Sequence, residues 1–287
     1  MSEIIKLKNE FLSVGISTLG AELQYVNGTN GTEYLWNADP AVWSGRAPVL
    51  FPICGRLKGN EYTHNGVKYE MGGHGFARRR EFVCESADSD SAVFSLVSDE
   101  ESRKLYPFDF KLTLAYKLSG CSIEVTYRIE NLTDGEMYFS IGCHEGYLCP
   151  EGIEAYDIEF DGAQTLDAYS VEGPILDGKC ARVIDGESVL PLKNELFAID
   201  ALVFKDIPSK RTILARRGGG RRITVEHGDF RHLLIWSRPG TKLLCIEPWN
   251  GMPDSVDRFG EIANKESIIR LERGENREMI HTITFEG

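Results

Sequence analysis

The chain has 287 residues, 42% hydrophobic and 26% charged, an ordinary globular composition that excludes disorder and low complexity as its main character. Its 32 Lys and Arg against 44 Asp and Glu leave a net charge of −12. That balance argues against general affinity for nucleic acid or an anionic membrane, while allowing a small anion held by a local arginine cluster.

The N-terminal segment carries acids early and alternates polar with apolar residues, and no apolar run is long enough to span a bilayer. Seven cysteines, an odd number without a C-x-x-C pair, fit reduced thiols better than a disulfide framework or zinc knuckle. A soluble cytoplasmic protein is expected. No linker rich in Pro, Gly or Ser divides the chain, so one domain over residues 1–287 is expected too.

In chain order, Asp39-Pro40 reads as the start of one helical turn over 39–44. Asn65-Gly66 between Glu61–His64 and Val67–Met71 is the strongest short hairpin signal. Ser98-Asp-Glu-Glu101 reads as a capping box opening about two turns over 98–106, which Pro107 ends. Phe110, Leu112, Leu114 and Tyr116 then alternate with polar or small residues, Ser119-Gly120 turns the chain, and Ile123, Val125, Tyr127 and Ile129 alternate back. Thr133-Asp134-Gly135 leads into Met137–Ile141. Strand patterns recur at Arg222–His227, His232–Ser237, Lys242–Trp249 and Arg277–Phe285. Such spacing predicts an all-β, mostly antiparallel sandwich or barrel with a few short helices.

The sequence lacks a P-loop, a dinucleotide fingerprint, H-E-x-x-H and G-x-S-x-G. Arg216-Arg217 to Arg222 reads as a hairpin loop with solvated arginines, an anion clamp being the sharper alternative. Four polar residues sit where strands or apolar runs end. His74 is displayed between glycines in Gly72-Gly73-His74-Gly75, where backbone can approach a ligand closely. Arg56 closes the apolar run from Ala47, His144 follows a strand end, and Glu247 ends the most apolar strand before Pro248-Trp249-Asn250-Gly251 turns the chain. Each alone has a plain structural explanation; the four together suggest a cleft.

The segments WSGRAPVLFPICGRL, GGHGFAR, Gly142-Cys143-His144 and CIEPWNG, in this order and at these separations, resemble the aldose 1-epimerase (galactose mutarotase) family, in its bacterial mutarotase-related branch. The resemblance runs from about Phe11 to the C-terminus. It implies a large antiparallel β-sandwich with a sugar cleft across one sheet, and interconversion of sugar anomers by ring opening and reclosure, which requires no metal or cofactor. Residue by residue it implies Glu247 as general base, His144 as general acid, and Arg56, His74 and Asp200 as sugar-binding groups, with Asp206 close enough in sequence to be confused with Asp200. Trp249 and Arg78 are further candidate contacts. Trp36, Trp43 and Tyr147 can offer an apolar face to a sugar or simply fill the core.

One departure stands out. Glu145 follows the acid histidine where the family usually has Pro or another apolar residue. Pointed at the imidazole it would raise its pKa; it can also face a substrate or solvent. The implied partner is a small sugar, with no nucleic acid or membrane, and the chain is a monomer or homodimer. Two alternatives remain: a hexose-phosphate mutarotase using Arg78, Arg79, Arg216 or Arg217 as a phosphate clamp, and a non-catalytic sugar-binding or regulatory module.

Overall fold

Strict alternation builds the centre of the molecule. In the paired strands Phe110–Ser119 and Ser122–Asn131, the residues Phe110, Leu112, Leu114, Tyr116, Ile123, Val125, Tyr127 and Ile129 are all buried, while Lys117 and Glu124 on the other face are exposed. The computed structural model describes residues 2–173, 175–257 and 260–287.

Among the described residues, fifteen strands join one antiparallel sheet that starts at Val49–Leu50, continues through Ile141–Cys143, Leu243–Asn250 and His232–Trp236, and later takes in Arg222–Glu226, Asn276–Glu286 and Ser122–Asn131. A three-stranded sheet and two two-stranded sheets accompany it. The large sheet folds over a common core. Ile141, Tyr147, Leu244 and Ile246 from one end share a buried cluster with Ile123, Val125, Tyr127 and Ile283 from the other. The fold is the all-β antiparallel architecture expected. No helix among the described residues is long and apolar enough to cross a membrane.

Asn65 and Gly66 both take positive φ (51° and 76°), the two-residue turn that their identity predicts. The Arg216–Arg222 stretch is a hairpin loop, as its plainer reading held. The segment 39–44 is a turn, not a helix. Asp39 takes the Ala41 N–H on its carboxylate and those of Val42 and Trp43 on its carbonyl, and the chain bends away at Ser44-Gly45 before a second helical turn can form. The one α-helix among the described residues is Glu100–Leu105; its capping box is Asp99 with Ser102, one residue later than expected, because Ser98 is taken up by Asp109. Met137–Ile141 is also divided. Met137–Phe139 pairs with Ile269–Leu271, and Ile141–Cys143 joins the large sheet beside Leu243–Asn250.

Candidate active site

Cross-strand register creates the site. Gly142 pairs with Trp249 and Glu145 with Ile246, so the intervening residue His144 falls opposite Glu247. The side chains meet, His144 Nε2 lying 3.3 Å from Glu247 Oε2. His144 keeps 12% of its side chain exposed and Glu247 only 2%. Both line a cavity of about 540 Å³, together with Trp43, Arg56, His74, Val171, Asp200, Trp236 and Trp249.

Small residues let the walls close. The Trp43 ring stacks on His144 (centroids 4.8 Å, planes at 19°) and can lie there because Gly146 has no side chain; a Cβ on Gly146 would stand 2.8 Å from that ring. Trp36 holds the turn in place, its Nε1–H donating to the Trp43 carbonyl at 2.7 Å. Trp236 meets His144 edge-on at 6.2 Å, and Trp249, buried, donates its Nε1–H to the Cys143 carbonyl.

The Gly-His-Gly loop forms the opposite side. His74 sits at φ +63°, and Gly75 (φ +68°) runs so close to Phe51 that a Cβ would stand 2.2 Å from the Phe51 carbonyl oxygen. Gly73 leaves the space that the Arg56 side chain crosses. The Gly55 N–H donates to His74 Nδ1 at 3.3 Å, which puts the ring proton on Nε2 as a donor for a ligand oxygen. Asp200 stands exposed at the rim and accepts the Ala201 N–H.

Burial decides the protonation. It pushes His144 down to about 3, with Arg78 adding to the effect. It pushes the Glu247 carboxyl well above the usual carboxylate range, helped by the nearby charges of Glu145 and Asp200. His74 is held well below the usual histidine value, first by burial and then by His144, Arg78 and Arg56, so it is a neutral hydrogen-bonding group. The resting pair therefore shares one proton, held mainly on Glu247.

Two groupings place metal-ligand types within 4.8 Å of one another: His144, Cys245 and Glu247, and the buried Cys143, Glu145 and His281. Burial pushes both thiols far above their usual range, away from the thiolate that binds a metal.

The structure brings together Arg56, His74, His144 and Glu247, which the sequence pattern singled out, with Asp200 and Trp249, which the family resemblance added. It separates others. Glu145 does not face the cavity or the His144 imidazole. It is the next residue along an extended strand, so it points to the opposite face, buried, with Oε1 3.2 Å from His281 Nε2. Arg217 is tied to Asp157 and to the Glu154 carbonyl, and Arg216 to Glu151, so neither lines the cavity. Asp206 pairs with Arg231 instead. Trp36 and Tyr147 are core residues. Arg78 and Arg79 line an adjoining hollow that shares Trp43, Arg56, His74 and His144 with the cavity. Trp236 is the wall residue that pattern reading passes over, because it closes an apolar run that reads simply as a buried strand.

The family described as aldose 1-epimerase matches residues 3–279. The chain is 32% identical over 281 residues to the chromosomal protein LacX of Lactococcus lactis subsp. lactis, covering 93% of this chain and 94% of that one. Among solved structures it is similar to a galactose mutarotase related enzyme from Lactobacillus acidophilus (TM-score 0.95, 31% identity, 99% and 98% coverage). It is also similar to a galactose mutarotase-like protein from Lactobacillus casei ATCC 334 (TM-score 0.94, 25% identity, 99% and 100% coverage).

Proposed function

Because the chain belongs to the aldose 1-epimerase family, we propose that it is a mutarotase, an isomerase that interconverts the α and β anomers of a hexose. The observation that carries this reading is the His144–Glu247 pair, 3.3 Å apart in a cavity walled by indoles and edged by polar groups. In a cyclic sugar the ring oxygen and the anomeric hydroxyl are bonded to the same carbon. An acid and a base standing side by side therefore reach both oxygens at once, rather than acting from opposite sides of the ring.

The shared proton first passes from Glu247 to His144 across their contact; Glu247 then removes the proton of the anomeric hydroxyl while His144 delivers its own to the ring oxygen. The carbon–oxygen ring bond breaks and the free aldehyde forms. After rotation about the bond to the aldehyde carbon, both transfers run in reverse on the other face, so each residue ends as it began. General acid and general base catalysis each contribute roughly 10²–10⁴-fold. Multiplied, that is about 5–11 kcal/mol of barrier at about 1.36 kcal/mol per decade.

Arg56 and the Nε2–H of neutral His74 donate to sugar oxygens, and Asp200 accepts from hydroxyls at the rim. Trp43 and Trp236 offer apolar ring surface to the C–H face of the sugar, with the buried Trp249 behind them. We read the chain as one cytoplasmic domain, monomeric or homodimeric. Anomer-exchange NMR across a panel of aldoses tests the reading: faster exchange than in buffer is expected for at least one hexose, and no acceleration of any sugar would overturn it.

A second reading, a hexose-phosphate mutarotase, is favoured by one observation. Arg56, Arg78 and Arg79 line the adjoining hollow of about 770 Å³, and no ion-pair partner for them is found among the described residues, although Glu70 lines the same hollow. Adding phosphorylated hexoses to the panel separates the two readings.

A further inference from the structure

Directly behind the His144–Glu247 pair, on the other face of the same strands, lies a second acid–histidine contact. Glu145 Oε1 is 3.2 Å from His281 Nε2, with side-chain exposures of 3% and 0%. His281 belongs to Asn276–Glu286, which pairs with Ser122–Asn131 and Arg222–Glu226, far along the sheet from Glu145–Leu148. The contact therefore crosses the core and ties the strand that carries His144 to the opposite layer.

His281 has little freedom. Its ring stacks on Tyr127 (5.6 Å, 27°) and meets the edge of Phe230 at 6.1 Å. No hydrogen-bond partner is found for Glu145 Oε2, the Tyr147 hydroxyl or either His281 ring nitrogen among the described residues, so Glu145 and His281 meet as a close charge contact and not as an aligned hydrogen bond. Leaving buried polar groups half-satisfied is costly, so their presence here points to a reason other than stability. One attested use of such a buried pair is to hold one arrangement of the backbone against its alternatives.

Resting on the mutarotase reading, we propose that Glu145 and His281 form a positioning pair, which fixes the strand segment around His144 across the core so that the imidazole and Glu247 stay in register for concerted proton transfer. Neither residue touches the cavity, so sugar binding through Arg56, His74 and Asp200 does not depend on them. The Glu145 charge also acts on Glu247 through the sheet, adding to the elevation of its carboxyl. The other titratable groups that sense Glu145 are Cys143 and Tyr147 on its own chain segment, Tyr116 and Tyr127 on the long central strands, and Cys245 beside Glu247.

The test compares wild type with Glu145→Gln, Glu145→Asp and His281→Asn by anomer-exchange kinetics, each with folded fraction checked by circular dichroism. Expected for Glu145→Gln are a kcat about tenfold lower, a KM within about twofold, and an alkaline limb of kcat/KM displaced downward. Glu145→Asp, which keeps the charge, should restore most of the pH profile. An unchanged kcat and pH profile in folded Glu145→Gln would overturn the proposal. So would a loss that merely follows the folded fraction. Histidine-ring NMR titration of the sugar-free proteins reads the same coupling without turnover. If wild type exchanged no sugar, the mutarotase reading would fall, and a His144 titration identical in wild type and Glu145→Gln would independently overturn the positioning pair.

Discussion

Glu247 is a buried carboxyl inside the strand Leu243–Asn250, which runs on in ladder pairing through Pro248 and Trp249 instead of turning there as the sequence suggested; it faces a histidine, and in the proposed mechanism it accepts a proton. Glu247→Gln keeps the shape and hydrogen-bonding reach but cannot take that proton. Turnover should be nearly abolished while sugar affinity stays within about tenfold, measured by exchange NMR and by titration of tryptophan fluorescence. The pH profile follows from the pair. Activity requires one proton shared between the two groups, since with two there is no base and with none there is no acid. Burial disfavours both charged forms, so the step that removes the first proton moves down, towards about 3, and the step that removes the second moves well above the usual carboxylate value. A plot of kcat/KM should therefore be a bell with its acid limb below the ordinary carboxylate range and a broad plateau above it. A narrow bell bounded by the reference values, about 4.3 for Glu and 6.5 for His, would mean that the pair is solvated in the working enzyme.

At the scale of elements, the Gly72–Gly75 loop shows how backbone freedom places a side chain. Gly75 is left-handed and abuts the Phe51 carbonyl, which also accepts the N–H groups of Phe76 and Ala77. Gly75→Ala adds backbone strain of about 1–3 kcal/mol and a clash besides. A lower melting temperature and a weakened sugar affinity are expected together, because the loop that shifts carries His74. Strands with clean alternation, such as Phe110–Ser119 and Ser122–Asn131, are legible because one face is core and the other water. The hairpin of Tyr156–Glu172 with Ile175–Pro191 is not, since its register shifts repeatedly and much of the second strand is exposed on both faces. The site is legible where a polar residue interrupts an apolar pattern, as at Arg56, His144 and Glu247. Glu145 shows the limit: beside His144 in sequence, it lies on the other face in space, and its partner His281 is more than a hundred residues away. No local pattern carries that contact.

The cavity belongs to no single segment. Trp43, Arg56, His74, His144, Asp200, Trp236 and Glu247 come from stretches spread over two hundred residues, and they converge only in the folded chain. A ligand that fits must stabilise the fold by mass action, by about 2.7 kcal/mol at a hundred times its Kd. A sugar that is turned over should thus raise the melting temperature by several degrees, and Glu247→Gln should keep that shift while losing turnover. The arginine hollow makes a sharper demand of the whole molecule. A chain with a net charge of −12 repels anions at long range, so a phosphorylated sugar gains only where Arg56, Arg78 and Arg79 stand close enough to offset that field. Arg79 is exposed and dispensable to the cavity itself. If the hollow receives a phosphate, Arg79→Gln should weaken a hexose phosphate by about tenfold, the scale of one charge-assisted hydrogen bond, and leave the free hexose within about twofold. Added salt should weaken the phosphate ester in wild type and do little to the neutral sugar. Equal responses of the two ligands, in both the variant and the salt series, would leave the arginines as surface charge and the free hexose as the substrate.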